Sequence, residues 1–144
     1  KVIIAAKSPD GTADYAISSK SSTSTYRPAA AITLLGNSIT SVDGLQQYTL
    51  ESGHADCPDT WAFKGDSDGK YLYYSSGLKV TSTLNANGSW TIAIAEDGKA
   101  TLTSQTTASK NTMMLNYTTS NQTFSMYEPT QADKGAIYLY KEYK

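Results

Sequence analysis

The side chains best suited to covalent chemistry fall in one short run. His54 is the only histidine and Cys57 the only cysteine, and they stand three positions apart. A histidine next to a thiol is the pairing that generates a thiolate nucleophile. Asp56 and Asp59 share the run. Nearness in sequence is not apposition, however. Ser52 to Thr60 (SGHADCPDT) reads as a connection, and a nucleophile and its base need a scaffold that holds them at hydrogen-bond distance. A Ser-His-Asp arrangement would have to use the same histidine, and no Gly-x-Ser-x-Gly elbow is present. The run is expected to be a polar loop with a partly buried thiol, and the chain is not expected to be an enzyme.

Metal chemistry is no better served. One histidine and one cysteine cannot close a zinc site. Asp66-Ser67-Asp68-Gly69 places two carboxylates at alternate positions before a glycine, as half of a calcium loop would. The bidentate Glu of an EF-hand belongs at the twelfth position, which is Gly77 here. Turn geometry is a sufficient reason for Asp-Gly. No metal and no cofactor are expected. A glycosidase pair would need two carboxyls about 5–10 Å apart in a groove, but the acidic residues fall mostly at turns: Asp10, Asp43, Asp68, Asp97 and Asp133.

The tyrosines remain, eleven in the chain and three of them in GKYLYYSSG, Gly69 to Gly77. With a two-residue period, Tyr71 and Tyr73 share one face of a strand and Leu72 and Tyr74 the other. Ile137-Tyr138-Leu139-Tyr140 repeats the pattern. If the aliphatic residues point inward, Tyr71, Tyr73, Tyr138 and Tyr140 form outward aromatic rows. Flat rings beside amides and hydroxyls suit the C–H faces and hydroxyls of a sugar. The competing explanation is structural, since tyrosine favours strands and cross-strand aromatic pairs stabilise sheets. Gln-x-Trp repeats, the signature of ricin-type sugar-binding trefoils, are absent. Trp61 and Trp90 each open a strand ahead of a similar turn and read as a matched core pair.

The elements that must carry these residues read as strands throughout. Trp90-Thr91-Ile92-Ala93-Ile94 and Thr123-Phe124-Ser125-Met126-Tyr127 alternate, and no stretch has a convincing helical period. About twelve short strands are expected, among them 2–6, 13–18, 30–35, 46–51, 60–64, 70–75, 78–82, 89–95, 99–104, 112–117, 122–127 and 136–141. A further one at 38–42 is weakly marked. Ser18 to Tyr26, Ser52 to Thr60 and Tyr127 to Gly135 read as the long connections. Asp10-Gly11, Asp68-Gly69 and Asp97-Gly98 each sit between two strands and look related. Their spacings of 58 and 29 make the repetition irregular. The fold expected is all-β: a closed antiparallel barrel, β-trefoil-like, since closure removes the exposed edges of so large a sheet. It would occupy 1–144 as a single all-β domain.

Composition bounds the partners. The net charge is −1 and charged residues make up only 17%, which argues against nucleic acid or an anionic membrane as partner. No run approaches the ~20 apolar residues of a membrane span. A lone cysteine rules out an internal disulfide, so the fold must stand on its core. The chain is expected to be a mature form or fragment of a longer secreted protein and to act as a monomer.

Several of these segments together resemble a known family. They are Val2-Ile3-Ile4, Asp68-Gly69-Lys70-Tyr71-Leu72, Trp90-Thr91-Ile92, Leu115-Asn116-Tyr117, Phe124-Ser125-Met126-Tyr127 and Leu139-Tyr140-Lys141. The pattern is similar to that of a small β-domain of secreted and surface proteins from gut Bacteroidetes and related bacteria. That domain often sits at the C-terminus or beside enzyme modules. The opening aromatic of the family is missing here. The resemblance implies an extracellular or cell-surface location and an accessory role. Two functions follow as expectations: a non-catalytic module that binds carbohydrate through Tyr71, Tyr73, Tyr138 and Tyr140, or a structural or adhesive spacer that contacts a surface protein.

Overall fold

The computed structural model describes residues 1–20, 25–105, 111–117, 122–128, 130–131 and 133–141. Part of the Ser/Thr-rich connection after Ser18, residues 21–24, lies outside them. The described chain is built of strands, with one short 3-10 turn at Ala86–Gly88.

The strands group into three units of four. The first holds β1 (Val2–Lys7), β2 (Asp14–Ile17), β3 (Arg27–Ile32) and β6 (Tyr48–Ser52), with a small hairpin, β4 (Leu34–Leu35) and β5 (Ser38–Ile39), inserted before β6. The second holds β7 (Trp61–Gly65), β8 (Tyr71–Tyr74), β9 (Leu78–Thr81) and β10 (Trp90–Ile94). The third holds β11 (Ala100–Ser104), β12 (Thr112–Tyr117), β13 (Gln122–Tyr127) and β15 (Ile137–Lys141), with a short β14 (Lys134–Gly135) pairing with β12. The connection expected from Tyr127 to Gly135 therefore contains a strand, too short to show a period.

Outer strands of the three units pair in a ring. Extended antiparallel pairs form between β1 and β15, β6 and β7, and β10 and β11. Single bridges join these pairs: Val2 to Tyr48, Trp61 to Trp90, and Ala100 to Ile137. Three hairpins complete the arrangement, β2–β3, β8–β9 and β12–β13. This three-fold order is that of a β-trefoil.

The Asp-Gly turns sort on this map. Asp10-Gly11 joins β1 to β2 and Asp68-Gly69 joins β7 to β8, the same place in successive units. Asp97-Gly98 joins β10 to β11, across the boundary between units. The 58-residue spacing is thus a repeat offset. The 29-residue spacing relates two different turns, which is why the repetition looked irregular.

Alternation fills the barrel. Ile4, Phe63 and Leu102 come from the first strand of each unit, and none is exposed. Trp90 lies among them, edge-on to Phe63 at 6.3 Å, with its indole N–H bonded to the Leu72 carbonyl at 3.1 Å. Burying a ring of this size is among the largest single contributions to such a core. β1 is buried on both faces. Ile4 and Ala6 point into the barrel, while Ile3 and Ala5 join Ala16 and Leu45 in a second cluster outside it. Ile39 of the inserted hairpin packs on that second cluster.

Candidate functional site

β15 carries two of the candidate tyrosines. Its alternation points Ile137 and Leu139 at the barrel core and turns Tyr138 and Tyr140 outward. Tyr140 lies opposite Ile3 and Tyr138 opposite Ala5 in the pairing with β1. The β4–β5 hairpin forms a wall facing β1 and β15. The result is a groove of about 860 Å³ with Tyr138 and Tyr140 on its floor.

The groove is bordered by groups that can take hydroxyls. Asn37 and Gln47 supply amides, Glu96 and Asp97 carboxylates, and Lys1, Lys7 and Lys141 ammonium groups. The turn carrying Asp97 passes close to the Tyr138 ring. Gly98 has φ of +89°, and a Cβ built on it would lie 3.7 Å from that ring. Lys7 is held in place by Asp14, 2.9 Å away. That hydrogen bond raises the Lys7 ammonium above its usual pKa despite its partial burial. Burial pushes the Tyr140 phenol up, against the opposing pull of Lys7. Tyr140 therefore stays a neutral hydrogen-bonding ring at ordinary pH.

The other tyrosine pair stands apart. Leu72 is fully buried and Tyr74 packs on the barrel core, so Tyr71 and Tyr73 do occupy the opposite face of β8. Neither lines the groove. The Tyr71 hydroxyl donates to Glu51 Oε1 at 2.8 Å, and the Lys64 ammonium lies 5.9 Å from its ring centroid. That bond to a carboxylate is the main reason its phenol pKa is raised. Tyr73 packs beside Gly88 of the 3-10 turn. The outward tyrosine rows expected from the sequence thus stand in two separate places.

His54 and Cys57 do share a pocket, of about 530 Å³, walled by Trp61. His54 Nδ1 accepts from the Asp56 backbone N–H at 3.2 Å and lies 3.5 Å from Asp56 Oδ2. The Cys57 N–H closes a turn on the His54 carbonyl at 2.8 Å. Among the described residues no hydrogen bond joins the imidazole to the thiol. Trp61 itself corrects an expectation: it is 46% exposed, while Trp90 is fully buried. Its neighbouring chain is the loop that leads into β7, and among the described residues no ring packs against it as Phe63 does on Trp90. Local sequence carries no sign of that difference. The half calcium loop also has other engagements. Asp66 is 2.8 Å from the Lys1 ammonium and accepts from the Thr49 hydroxyl, and Asp68 accepts the Lys70 N–H across its own turn.

No protein-family model matches the chain, and no curated protein matches it. Solved structures do. A GH43 β-1,3-galactosidase is 16% identical with a TM-score of 0.65, covering 100% of this chain and 28% of its own. The BEL β-trefoil is 15% identical with a TM-score of 0.61, covering 96% of this chain and 92% of its own. A designed three-fold symmetric protein, ThreeFoil, is 14% identical with a TM-score of 0.63, covering 98% of this chain and 99% of its own. The chain has the β-trefoil fold, and at these identities the likeness extends to the fold alone. It spans little more than a quarter of the galactosidase's length. No helix among the described residues is long and apolar enough to cross a membrane.

Proposed function

We propose that this chain is a non-catalytic binding module whose ligand is carbohydrate, held in the groove over Tyr138 and Tyr140. The observation that carries the reading is the juxtaposition of two outward tyrosine rings with the amides of Asn37 and Gln47 and the carboxylates of Glu96 and Asp97 around one groove. The rings stack on the apolar faces of a sugar, and the amides and carboxylates take its hydroxyls. Tyr71 and Tyr73 stand outside this reading, because neither lines the groove. Supporting the reading, a β-1,3-galactosidase contains a unit of this fold within a much longer chain. The setting proposed is correspondingly an accessory domain of a secreted or cell-surface bacterial protein, as its resemblance to the Bacteroidetes domain implies.

A second reading, a module that contacts other proteins, is favoured by Leu35 at 77% and Ile94 at 63% exposure. A screen against a glycan array and insoluble polysaccharides separates the two. Binding that Tyr138→Ala abolishes and Tyr73→Ala preserves, with both variants folded, supports the groove. Silence across the array, or equal loss in both variants, overturns it in favour of protein contact.

A further inference from the structure

A second, smaller pocket of about 260 Å³ shares no residue with the tyrosine groove. It lies where β2 ends, β3 and β6 begin, and the β7–β8 turn folds over. Among the described residues three cationic side chains line it, Lys20, Arg27 and Lys70, against a single carboxylate, Asp68. This concentration stands out in a chain of net charge −1.

The pocket is built, not a gap between surface lysines. Arg27 is only 6% exposed, and its Nε donates to the Leu78 carbonyl at 3.2 Å, which fixes the guanidinium in place. Gln46 is also buried. It donates to the Ser67 hydroxyl at 2.8 Å and accepts the Ser67 N–H at 3.2 Å, clamping the β7–β8 turn against the barrel. Tyr48 is 2% exposed and lines the same pocket. Among the described residues no hydrogen bond engages its hydroxyl. Yet no polar side-chain atom sealed from solvent there lacks a partner, so that hydroxyl opens onto the pocket.

A buried hydroxyl without a protein partner is costly unless something in the pocket accepts from it. Burial also works against the charge of Arg27 and is the largest influence on its pKa. Burial pushes the Tyr48 phenol far upward, so it remains a neutral donor. A group that accepts hydrogen bonds satisfies that hydroxyl, and negative charge suits a lining that carries Lys20, Arg27 and Lys70.

We propose that this pocket binds the oxyanion group of a small ligand, a carboxylate, sulfate or phosphate, between Arg27, Lys70 and the Tyr48 hydroxyl. Lys20 lines the same pocket.

The test is a titration of the whole chain at low ionic strength with acetate, sulfate, phosphate, glucuronate and, as a neutral control, glucose. It is followed by amide chemical shifts and by calorimetry. Saturable binding of at least one anion is expected, with shifts centred on Ser67 to Lys70 and none from glucose. Tyr48→Phe and Lys70→Gln should each weaken it about tenfold, and Tyr138→Ala should leave it unchanged. Lys70 is exposed, so its variant keeps the fold and keeps the test decisive. Glucuronate bound more tightly than acetate would assign an acidic sugar, and equal affinities a free anion. Non-saturable shifts in every arm, or affinities indifferent to both substitutions, would overturn the proposal.

Discussion

Trp61 and Trp90 are direct register partners across β7 and β10, yet one is 46% exposed and the other wholly buried. Each opens its strand. What separates them is the cover: Trp90 has Phe63 edge-on and the Leu72 carbonyl on its indole N–H, while Trp61 forms the wall of an open pocket.

That asymmetry predicts two kinds of emission from two tryptophans. Trp61→Phe should remove the red-shifted, acrylamide-quenchable component, leaving a blue, protected spectrum, and cost under about 1 kcal/mol. Trp90→Ala should cost about 3–5 kcal/mol in urea unfolding. Quenching unaltered by Trp61→Phe would contradict the assignment.

The Tyr71–Glu51 bond ties the second unit to the first across 20 residues of chain. Tyr71→Phe should lower stability by about 0.5–1.5 kcal/mol. In a double-mutant cycle with Glu51→Gln the two losses should be less than additive. Strict additivity would show that the bond contributes nothing in solution.

Asp10 sits in a web of donors. The Ser8 hydroxyl reaches its carboxylate at 2.5 Å, the Thr12 hydroxyl at 2.7 Å and the Thr12 N–H at 3.0 Å. Together they lower its pKa from 3.8 to about 2, Ser8 contributing most. Because the folded value is depressed, the stabilisation is complete above pH 3.8 and is lost as pH falls through about 2. Ser8→Ala should return the Asp10 pKa towards 3.8 further than Thr12→Ala does, read from the carboxyl carbon by NMR titration. The reverse ranking would refute this account.

Gly135 in β14 leaves no room for a side chain. A Cβ there would lie 2.0 Å from the Lys7 carbonyl oxygen and 3.1 Å from Leu115 Cβ. The first obstacle is backbone, so it cannot rotate away. Gly135→Ala should cost about 3 kcal/mol and shift the amide resonances of Lys7 and Leu115. Thermal unfolding at the parent temperature would show that β14 stands further from β1 than this contact requires.

Much of the fold was legible because its signals are local. The strands expected at 112–117 and 122–127 lie at their observed ends, and the alternation of Thr123 to Tyr127 marks the second, since side-chain facing along a strand depends only on the pleat. The same rule placed Leu72 and Ile137 inward and Tyr71, Tyr73, Tyr138 and Tyr140 outward. β14 was missed because two residues cannot display a period, and Ile94, on the same face of its strand as the buried Trp90, is 63% exposed. Its strand keeps the alternation there, but the barrel no longer covers that side.

The amino-acid sequence by itself determined that the chain is built of strands, where the Asp-Gly turns fall between them, and that Leu72 and Ile137 face inward while Tyr71, Tyr73, Tyr138 and Tyr140 face outward. It could not determine what lies opposite an outward face. Tyr138 and Tyr140 overlook a groove because an inserted hairpin from the first unit folds across β1, whereas Tyr71 meets Glu51 of β6 across the intervening β7. The second pocket draws Lys20, Arg27, Tyr48 and Lys70 from four separated parts of the chain. Facing is set by neighbours in sequence, but cover, pairing and charge clustering are set by contacts between segments far apart, and only the closed three-unit ring brings those segments together.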